Sequence, residues 1–217
     1  MDFVFEQIRT GGDRNLGYLL GDRGARVAAA VDPSFQPRLF LERARAQGLR
    51  LELILNTHGH GDHVNGNAEL RRISGARVAA WRDSAAKPDL PLADGDLLPL
   101  GALRIRVLHV PGHSPDHLLF HLAQERVALT GDLLFVGKIG GTDGEEDART
   151  EYESLRRVLR ELPDDTTIWP GHDYGCRPAS TIALEKRGNP FLRVPDFPAF
   201  LRLKREWADF KARSGLV

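Results

Sequence analysis

Three histidines and one aspartate stand close together in residues 56–63, which read NTHGHGDH. Neutral imidazoles bind zinc, iron and similar ions, and carboxylates bind harder ions, so this mixture of side chains is typical of a metal site. In an extended segment, residues two apart point the same way, which predicts that His58, His60 and Asp62 share one side. His63 would then face a second point nearby, so the segment could serve two metal ions.

This segment alone supplies too few ligands, and three later motifs each place one more candidate directly after a glycine. The candidates are His113 in PGHSPDH, Asp132 in TGDLLF and His172 in PGHDYG. Each of them follows a strand-like run. A single histidine in such a position is usually a packing or surface residue, but four motifs together favour metal binding. Seven donors fit two metal ions that share one carboxylate.

The elements that must position these residues alternate between short strands and helices, which predicts an α/β fold. LRLELIL, directly before the first motif, is apolar along nearly its whole length, as in a strand covered on both faces. Helices are expected at QPRLFLERARAQG, which stops at Gly48, at NAELRRIS and at FPAFLRLKREWADF. In TEYESLRRVLREL, the spacing of Thr150 and Glu153 matches a capping box, so we expect that helix to begin there.

Composition restricts the classes of protein and partner. Thirty basic and thirty acidic residues cancel among 217, so neither nucleic acid nor a membrane surface is an expected partner. The length predicts a single domain over residues 1–217, with a short C-terminal helical extension at about 195–213. The sequence shows no secretion signal and no apolar run near the ~20 residues that span a bilayer. With a single cysteine, Cys176, these features predict a cytoplasmic protein.

In this order and spacing, THGHGDH, VPGHSPDH, LTGD and WPGHDYG resemble the motifs of the metallo-β-lactamase superfamily. The resemblance extends over nearly the whole chain and implies a four-layer αβ/βα sandwich, with two mixed β-sheets flanked by helices. It also implies two groups of metal ligands, the first His58, His60 and His113, and the second Asp62, His63 and His172. Asp132 would bridge the two ions, and Asp62 and Asp132 are the expected catalytic carboxylates.

Within the superfamily, VGKIGGTD, SLRRVL and GHDYGCRPASTIALEKRGNPFL are similar to the glyoxalase II-like, or hydroxyacylglutathione hydrolase-like, enzymes. This similarity implies hydrolysis of a thioester such as S-lactoylglutathione, or of a related ester, by a hydroxide held between two divalent ions. Zinc is favoured, with iron and manganese as alternatives. Tyr174 matches a tyrosine that contacts glutathione in these enzymes. Their basic residue after the bridging aspartate corresponds to Gly141, with Lys138 three residues earlier, so Tyr174 and Lys138 are the expected substrate-binding residues.

Two other functions stay open. The related persulfide dioxygenases use a single iron held by two histidines and one carboxylate, which here would be His58, His113 and Asp132. They usually carry an arginine where this chain has Gly141. The other alternative is a non-catalytic, lactamase-like module that only binds metal. Both enzymatic functions imply a small-molecule substrate. The sequence is also compatible with a homo-oligomer.

Four further polar residues are expected to support the site without binding metal. Asp32, at the strand end AVDPS, is a candidate partner that orients a ligand histidine, or else a cap for the next helix. The other three, which we expect to pack or to hydrogen-bond behind the ligands, are His109, His117 and His121.

Overall fold

The computed structural model describes residues 2–207, 210 and 213, and its framework is a pair of six-stranded sheets. The first sheet has its strands side by side in chain order: β1 (Phe3–Gly11), β2 (Asn15–Asp22), β3 (Val27–Val31), β4 (Arg50–Leu55), β5 (Arg77–Trp81) and β6 (Leu90–Leu92). The second sheet contains, in chain order, β7 (Leu97–Leu100), β8 (Leu103–His109), β9 (Leu118–Leu122), β10 (Val127–Gly131), β13 (Thr167–Pro170) and β14 (Ser180–Thr181). A separate two-stranded ribbon consists of β11 (Leu134–Phe135) and β12 (Lys138–Ile139).

Six α-helices and one 3-10 helix accompany the sheets in the part of the chain that the structure describes. The α-helices are α1 (Pro37–Ala46), α2 (Gly61–Val64), α3 (Asn67–Ser74), α4 (Glu145–Glu161), α5 (Ile182–Gly188) and α6 (Phe197–Arg205), and the 3-10 helix is Pro190–Leu192. Helix α3 coincides with the predicted NAELRRIS helix, and α1 ends just before Gly48, which adopts a φ of 71°. None of the described helices combines the length and apolar character that crossing a bilayer requires.

Three apolar clusters divide the molecule into four layers. Leu55 of β4 and Phe120 of β9 belong to the cluster between the two sheets. Phe40 of α1 packs in a second cluster on the outer face of the first sheet, and Phe200 of α6 packs in a third on the outer face of the second sheet. The predicted four-layer αβ/βα sandwich is therefore confirmed. Strand β4 is buried on both faces, which explains its nearly continuous apolar run.

Parallel strand pairs bring the candidate motifs to one edge of the sandwich. In the first sheet β3 runs parallel to β4, and in the second sheet β10 runs parallel to β13. Parallel neighbours end at the same edge, and ligands commonly bind beyond the carboxyl ends of such strands. Asp32 follows β3, His58 lies three residues after β4, Asp132 follows β10, and His172 lies two residues after β13.

The N-cap of helix α4 lies six residues before Thr150, the N-cap of the predicted capping box. Gly144 is its N-cap, Glu145 is its first residue, and Thr150 lies inside it, where the Thr150 hydroxyl donates to the carbonyl oxygen of Glu146. The capping-box prediction was wrong because three acidic residues, Glu145 to Asp147, occupy the first turn, where carboxylates interact favourably with the helix dipole.

The predicted C-terminal extension at about 195–213 is only partly described. Asp196 caps its helix, since the Asp196 carboxylate accepts from the amide of Ala199, and α6 follows to Arg205. Residues 208, 209, 211 and 212 lie outside the described part, so the extent of this extension, and the assignment of residues 1–217 to one domain, stay predictions.

Candidate metal centre

The first group of candidate ligands is a triangle of imidazole nitrogens. His60 Nδ1 lies 3.0 Å from His58 Nε2 and 3.1 Å from His113 Nε2. His58 and His113 each have their other ring nitrogen occupied, His58 by the hydroxyl of Thr57 at 3.0 Å and His113 by the carbonyl oxygen of Gly141 at 2.9 Å. A neutral imidazole that donates at Nδ1 presents a lone pair at Nε2. Lone pairs therefore converge on one point, as metal coordination requires.

The second group lies beside the first and consists of two histidines and one carboxylate. His63 Nε2 is 3.3 Å from His172 Nε2. Asp62 Oδ2 is 3.7 Å from His63 Nε2 and 3.5 Å from His172 Nε2. These atoms lie as close together as ligands of one ion.

The local alternation predicted that Asp62 would face the same point as His58 and His60, and that prediction was wrong. The backbone is extended at His60 but turns into α2 at Gly61. Successive residues of a helix diverge by less than the half-turn of a strand. Asp62 and His63 therefore both approach His172, as the family resemblance implied.

Asp132 lies between the two groups. Its Oδ2 atom is 3.7 Å from His113 Nε2 in the first group and 3.2 Å from His172 Nε2 in the second. Its Oδ1 atom is buried and accepts no hydrogen bond from the described residues, although His63 Nε2 lies 3.5 Å away. A buried carboxylate oxygen in this state costs free energy unless a cation lies against it. The position of Asp132 thus fits a carboxylate shared by two ions.

Two glycines allow Asp132 to occupy this position. Gly131 has a φ of 49°, and a Cβ atom there would lie 2.8 Å from both His117 Nε2 and Thr57 Cβ. A Cβ atom on Gly171 would collide with Asp132 Oδ1. A larger residue at either position would displace a neighbour of the centre, which explains why a glycine precedes both Asp132 and His172.

Asp32 orients one ligand in each group. Its carboxylate lies 3.0 Å from His63 Nδ1 and accepts from the Thr57 hydroxyl at 2.6 Å. The Thr57 hydroxyl in turn contacts His58 Nδ1. Asp32 is buried and also accepts from the backbone amide of Thr57 at 2.9 Å. Helix α1 has Gln36, not Asp32, as its N-cap, so of the two sequence alternatives the structure supports the orienting partner.

Replacing Asp32 with asparagine is expected to weaken metal binding by about 10- to 100-fold, the usual cost of losing a partner behind a ligand histidine. The amide would no longer hold the Nδ1 protons of His63 and, through Thr57, of His58. Equilibrium dialysis with zinc would measure the change. Asp164→Asn, which alters an exposed pair with Lys186, is the matched control. Equal zinc affinity in Asp32→Asn and Asp164→Asn would contradict this role.

Two residues of the β1–β2 hairpin, which were not predicted from the sequence, hold ligands of the second group by hydrogen bonds. They are Asp13, in the turn, and Asn15, the first residue of β2. The Asn15 amide donates to Asp62 Oδ2 at 2.9 Å and to the Asp62 carbonyl oxygen at 3.2 Å. His172 Nδ1 donates to the Asp13 carbonyl oxygen at 2.8 Å. Both residues belong to GGDRN, residues 11–15, whose composition is typical of a turn and does not distinguish them from ordinary turn residues.

His117 supports the bridging carboxylate from behind, as expected for a residue outside the ligand set. Its Nε2 atom accepts from the backbone amide of Asp132 at 3.0 Å, and its ring stacks on that of His58 with centroids 5.0 Å apart. His109 instead stacks on Trp81 with centroids 3.8 Å apart, and His121 is buried within β9. The expected packing and supporting roles are therefore observed.

The protonation preferences differ between the two groups. Burial lowers the pKa of His58 well below its usual value and also lowers the pKa of His113, which favours neutral imidazoles in the first group. Burial also opposes the charged form of His63, but the carboxylates of Asp132 and Asp32 outweigh it and raise the pKa of His63 well above its usual value. Burial opposes ionisation of Asp132, yet His63 and His172 hold its pKa well below the ordinary range. The carboxylates around the second group therefore favour positive charge there.

The candidate substrate residues border the second group. The Tyr174 ring stacks nearly parallel on that of His172, with centroids 4.8 Å apart, and its hydroxyl donates to Asp13 Oδ2 at 2.5 Å. Lys138 Nζ lies 4.1 Å from the centre of the Tyr174 ring. Asp62 of the second group is half exposed, and His60 of the first group is exposed, so the centre is open to solvent at these two residues.

The donor set fits divalent metal ions. Five imidazoles and two carboxylates converge. Hydrogen bonds to Thr57, Gly141, Asp32 and Asp13 hold the outward ring nitrogens of four of the histidines, and Asn15 donates to Asp62 Oδ2. Such a set suits zinc and iron, and it does not distinguish between them.

Comparison with known proteins agrees with this geometry. The profile of the Metallo-beta-lactamase superfamily matches residues 17–172. Human mitochondrial persulfide dioxygenase ETHE1 is 37% identical over 181 residues, which are 82% of this chain and 71% of that protein. The hydroxyacylglutathione hydrolase of Cereibacter sphaeroides is 40% identical over 182 residues, 82% of this chain and 70% of the relative.

A solved structure of ETHE1 from Myxococcus xanthus superposes with a TM-score of 0.87 at 33% identity. The superposition covers 94% of this chain and 91% of that one. The relatives thus include both enzyme types that the motifs resemble, and they share the two-sheet architecture described above. This chain belongs to the metallo-β-lactamase superfamily and is a metal-dependent enzyme of that superfamily.

Proposed function

We propose that this enzyme hydrolyses a thioester such as S-lactoylglutathione, or a related ester, with two zinc ions at the centre. The observation that carries the proposal is the position of Asp132, whose Oδ2 atom lies within 3.7 Å of His113 in one ligand group and 3.2 Å of His172 in the other. This arrangement suits a carboxylate shared by two ions. The similarity to the Cereibacter sphaeroides hydroxyacylglutathione hydrolase supports the same reaction class.

The proposed ligands are the seven residues that converge at the centre. His58, His60 and His113 would hold the first ion, Asp62, His63 and His172 the second, and Asp132 both. Divalent ions, when bound, lower the pKa of a coordinated water towards about 7 and polarise a carbonyl oxygen. Asp62 and Asp132 are the proposed catalytic carboxylates, and they would accept a hydrogen bond and then a proton from the attacking water. Attack of the water oxygen on the carbonyl carbon would form the C–O bond, and the C–S bond would then break to release the thiolate, which needs no strong help from an acid.

Tyr174 and Lys138 are proposed to bind the thiol part of the substrate. Tyr174 stacks on His172, and Lys138 has a half-buried side chain whose Nζ atom lies over two aromatic rings, those of Tyr174 and Phe135. Glutathione carries carboxylates, so a cation at this edge suits its recognition. Gly141, which carries no side chain at the position where the family's basic residue is expected, leaves this role to Lys138.

Lys138→Met is therefore expected to raise the KM for S-lactoylglutathione about tenfold with little change in kcat, because one charge-assisted hydrogen bond is lost. Steady-state kinetics would measure both constants. The S-acetyl derivative of 2-mercaptoethanol, which has no carboxylate, should show no such rise in KM. Lys186→Met is the control for an exposed lysine elsewhere. An equal rise in KM for both thioesters would mean that Lys138 does not recognise glutathione.

Elemental analysis of protein purified without added metal, combined with a panel of glutathione thioesters, tests the proposed function. Two zinc ions per chain and thioester turnover are the expected results. One iron per chain, together with no turnover of any thioester, would refute the proposal.

A second candidate function is persulfide dioxygenation, and a specific observation favours it. The Myxococcus xanthus ETHE1 structure superposes on nearly the whole chain, and human persulfide dioxygenase is 37% identical. His58, His113 and Asp132 would supply the two histidines and one carboxylate of a single iron site. Oxygen consumption by iron-loaded protein with glutathione persulfide is the measurement that would place this function first.

A further inference from the structure

We infer that the buried ion pair between Glu151 of α4 and Lys204 of α6 positions His113, and so determines how tightly the first ligand group binds its ion. Glu151 is fully buried, and the Lys204 side chain is 12% exposed. Neither residue is among the proposed ligands. The inference rests on the proposed function, since it takes His113 to be a metal ligand.

The first contact runs through the loop after β12. Lys204 Nζ pairs with Glu151 Oε2 and also donates to the carbonyl oxygen of Gly140 at 3.1 Å. The next carbonyl along the chain, that of Gly141, accepts from His113 Nδ1 at 2.9 Å. Lys204 therefore holds the peptide that directly precedes the one orienting the His113 ring.

The second contact is between helix α4 and the two residues that precede His113 in the chain. Gly112, the residue before His113, has a φ of 137°, and a Cβ atom there would collide with the backbone and Cβ of Glu151. One turn along α4, the Ser154 hydroxyl donates to the carbonyl oxygen of Pro111 at 2.7 Å. Helix α4 is thus packed directly against the loop that carries His113, at the residue that pairs with Lys204.

The energetics of the pair favour a positional role over a stabilising one. Removing two charges from water is costly, and replacing a buried ion pair with apolar residues is often neutral or stabilising. Burial raises the pKa of Glu151 although Lys204 opposes the shift, so keeping the carboxylate charged is costly, and Glu151 Oε1 accepts no hydrogen bond from the described residues. An apolar pair could fill the same space, but it could not donate to Gly140.

The test compares three variants of the full chain: Lys204→Met, Glu151→Gln, and the double variant Glu151→Leu/Lys204→Met. Metal-free protein would be titrated with cobalt(II) chloride, with binding followed by visible absorption. Lys204→Met should bind one of the two cobalt ions about 10- to 100-fold more weakly and alter its visible band, as expected when the support of a ligand histidine is lost. Glu151→Gln keeps an acceptor for Lys204 and the bond to Gly140, so it should bind cobalt like the unmodified protein.

The double variant separates position from stability. It leaves no unpaired buried charge, so its melting temperature should recover relative to Lys204→Met while cobalt binding stays weak. If the melting temperature and cobalt binding both recover in the double variant, the pair affects only the stability of the fold, and the inference is overturned. If Lys204→Met does not fold, cobalt binding by the double variant is sufficient to test the inference. Lys186→Met, in an exposed pair with Asp164, is the matched control.

His113→Ala distinguishes failure of this inference from failure of the proposed function. If His113→Ala binds both cobalt ions normally, the ligand assignment itself is wrong. If His113→Ala binds cobalt weakly while both variants that lack Lys204 bind it normally, the inference fails and the ligand assignment stands.

Discussion

Replacing Asp132 with alanine is expected to abolish joint binding of two metal ions and to lower kcat/KM for S-lactoylglutathione by about a thousandfold. Asp132 Oδ2 lies within reach of His113 and His172, so its loss would remove a ligand from both groups at once. Polarisation and water activation by metal ions are together worth several kcal/mol, and each 1.36 kcal/mol is a factor of ten in rate. Elemental analysis and steady-state kinetics on the same preparation would measure both effects.

Asp165→Asn is the matched control for Asp132→Ala, because Asp165 is an exposed carboxylate paired with Arg126. The control should keep full metal content and full activity. Circular dichroism should show that Asp132→Ala is folded, so that loss of metal is not loss of the fold. Two ions and near-normal turnover in folded Asp132→Ala would show that Asp132 does not join the two ions.

Removal of bound metal by a chelator is expected to abolish thioester hydrolysis and to lower the melting temperature by roughly 8–16 °C. A ligand at a thousand times its Kd stabilises the native state by about 4 kcal/mol, and 1 kcal/mol shifts the melting temperature of a chain of this size by about 2–4 °C. Differential scanning calorimetry before and after chelation would measure the shift. Zinc added back should restore both stability and turnover.

His60→Ala protein provides the control for chelation, because His60 Nδ1 is one of the three nitrogens of the first ligand triangle, 3.0 Å from His58 Nε2 and 3.1 Å from His113 Nε2. Its melting temperature should respond less to added zinc than that of the unmodified protein. Full thioester turnover by chelated protein that holds no metal would contradict both the metal mechanism and the proposed function.

The order and type of most regular elements could be predicted from the sequence. LRLELIL forms β4, and NAELRRIS forms α3. These predictions are correct because periodicity and turn residues act over a few positions, within one element. The start of α4 could not be predicted in this way: the acidic run Glu145 to Asp147 and the Thr150/Glu153 pair are both plausible helix starts, and the chain uses the earlier one.

In the candidate site, too, some features could be predicted from the sequence and others could not. The sequence indicated all seven candidate donors, because ligand chemistry belongs to individual side chains and strand ends place such residues at one edge of a sheet. The local pattern nevertheless assigned Asp62 to the wrong group. Whether the chain turns into a helix after His60 depends on the surroundings of α2, which include Asn15 from a hairpin more than forty residues earlier.

The sequence by itself indicated metal-dependent chemistry, through the identity and order of the histidines and aspartates. The family resemblance also implied how these donors are grouped, and only the tertiary structure decided what holds each of them. Asp32 reaches His63 across 31 positions, Asp13 reaches His172 across 159, and Lys204 reaches Gly140 across 64. Such contacts arise only when two sheets and their helices pack together, so the strength and geometry of the centre depend on the whole fold.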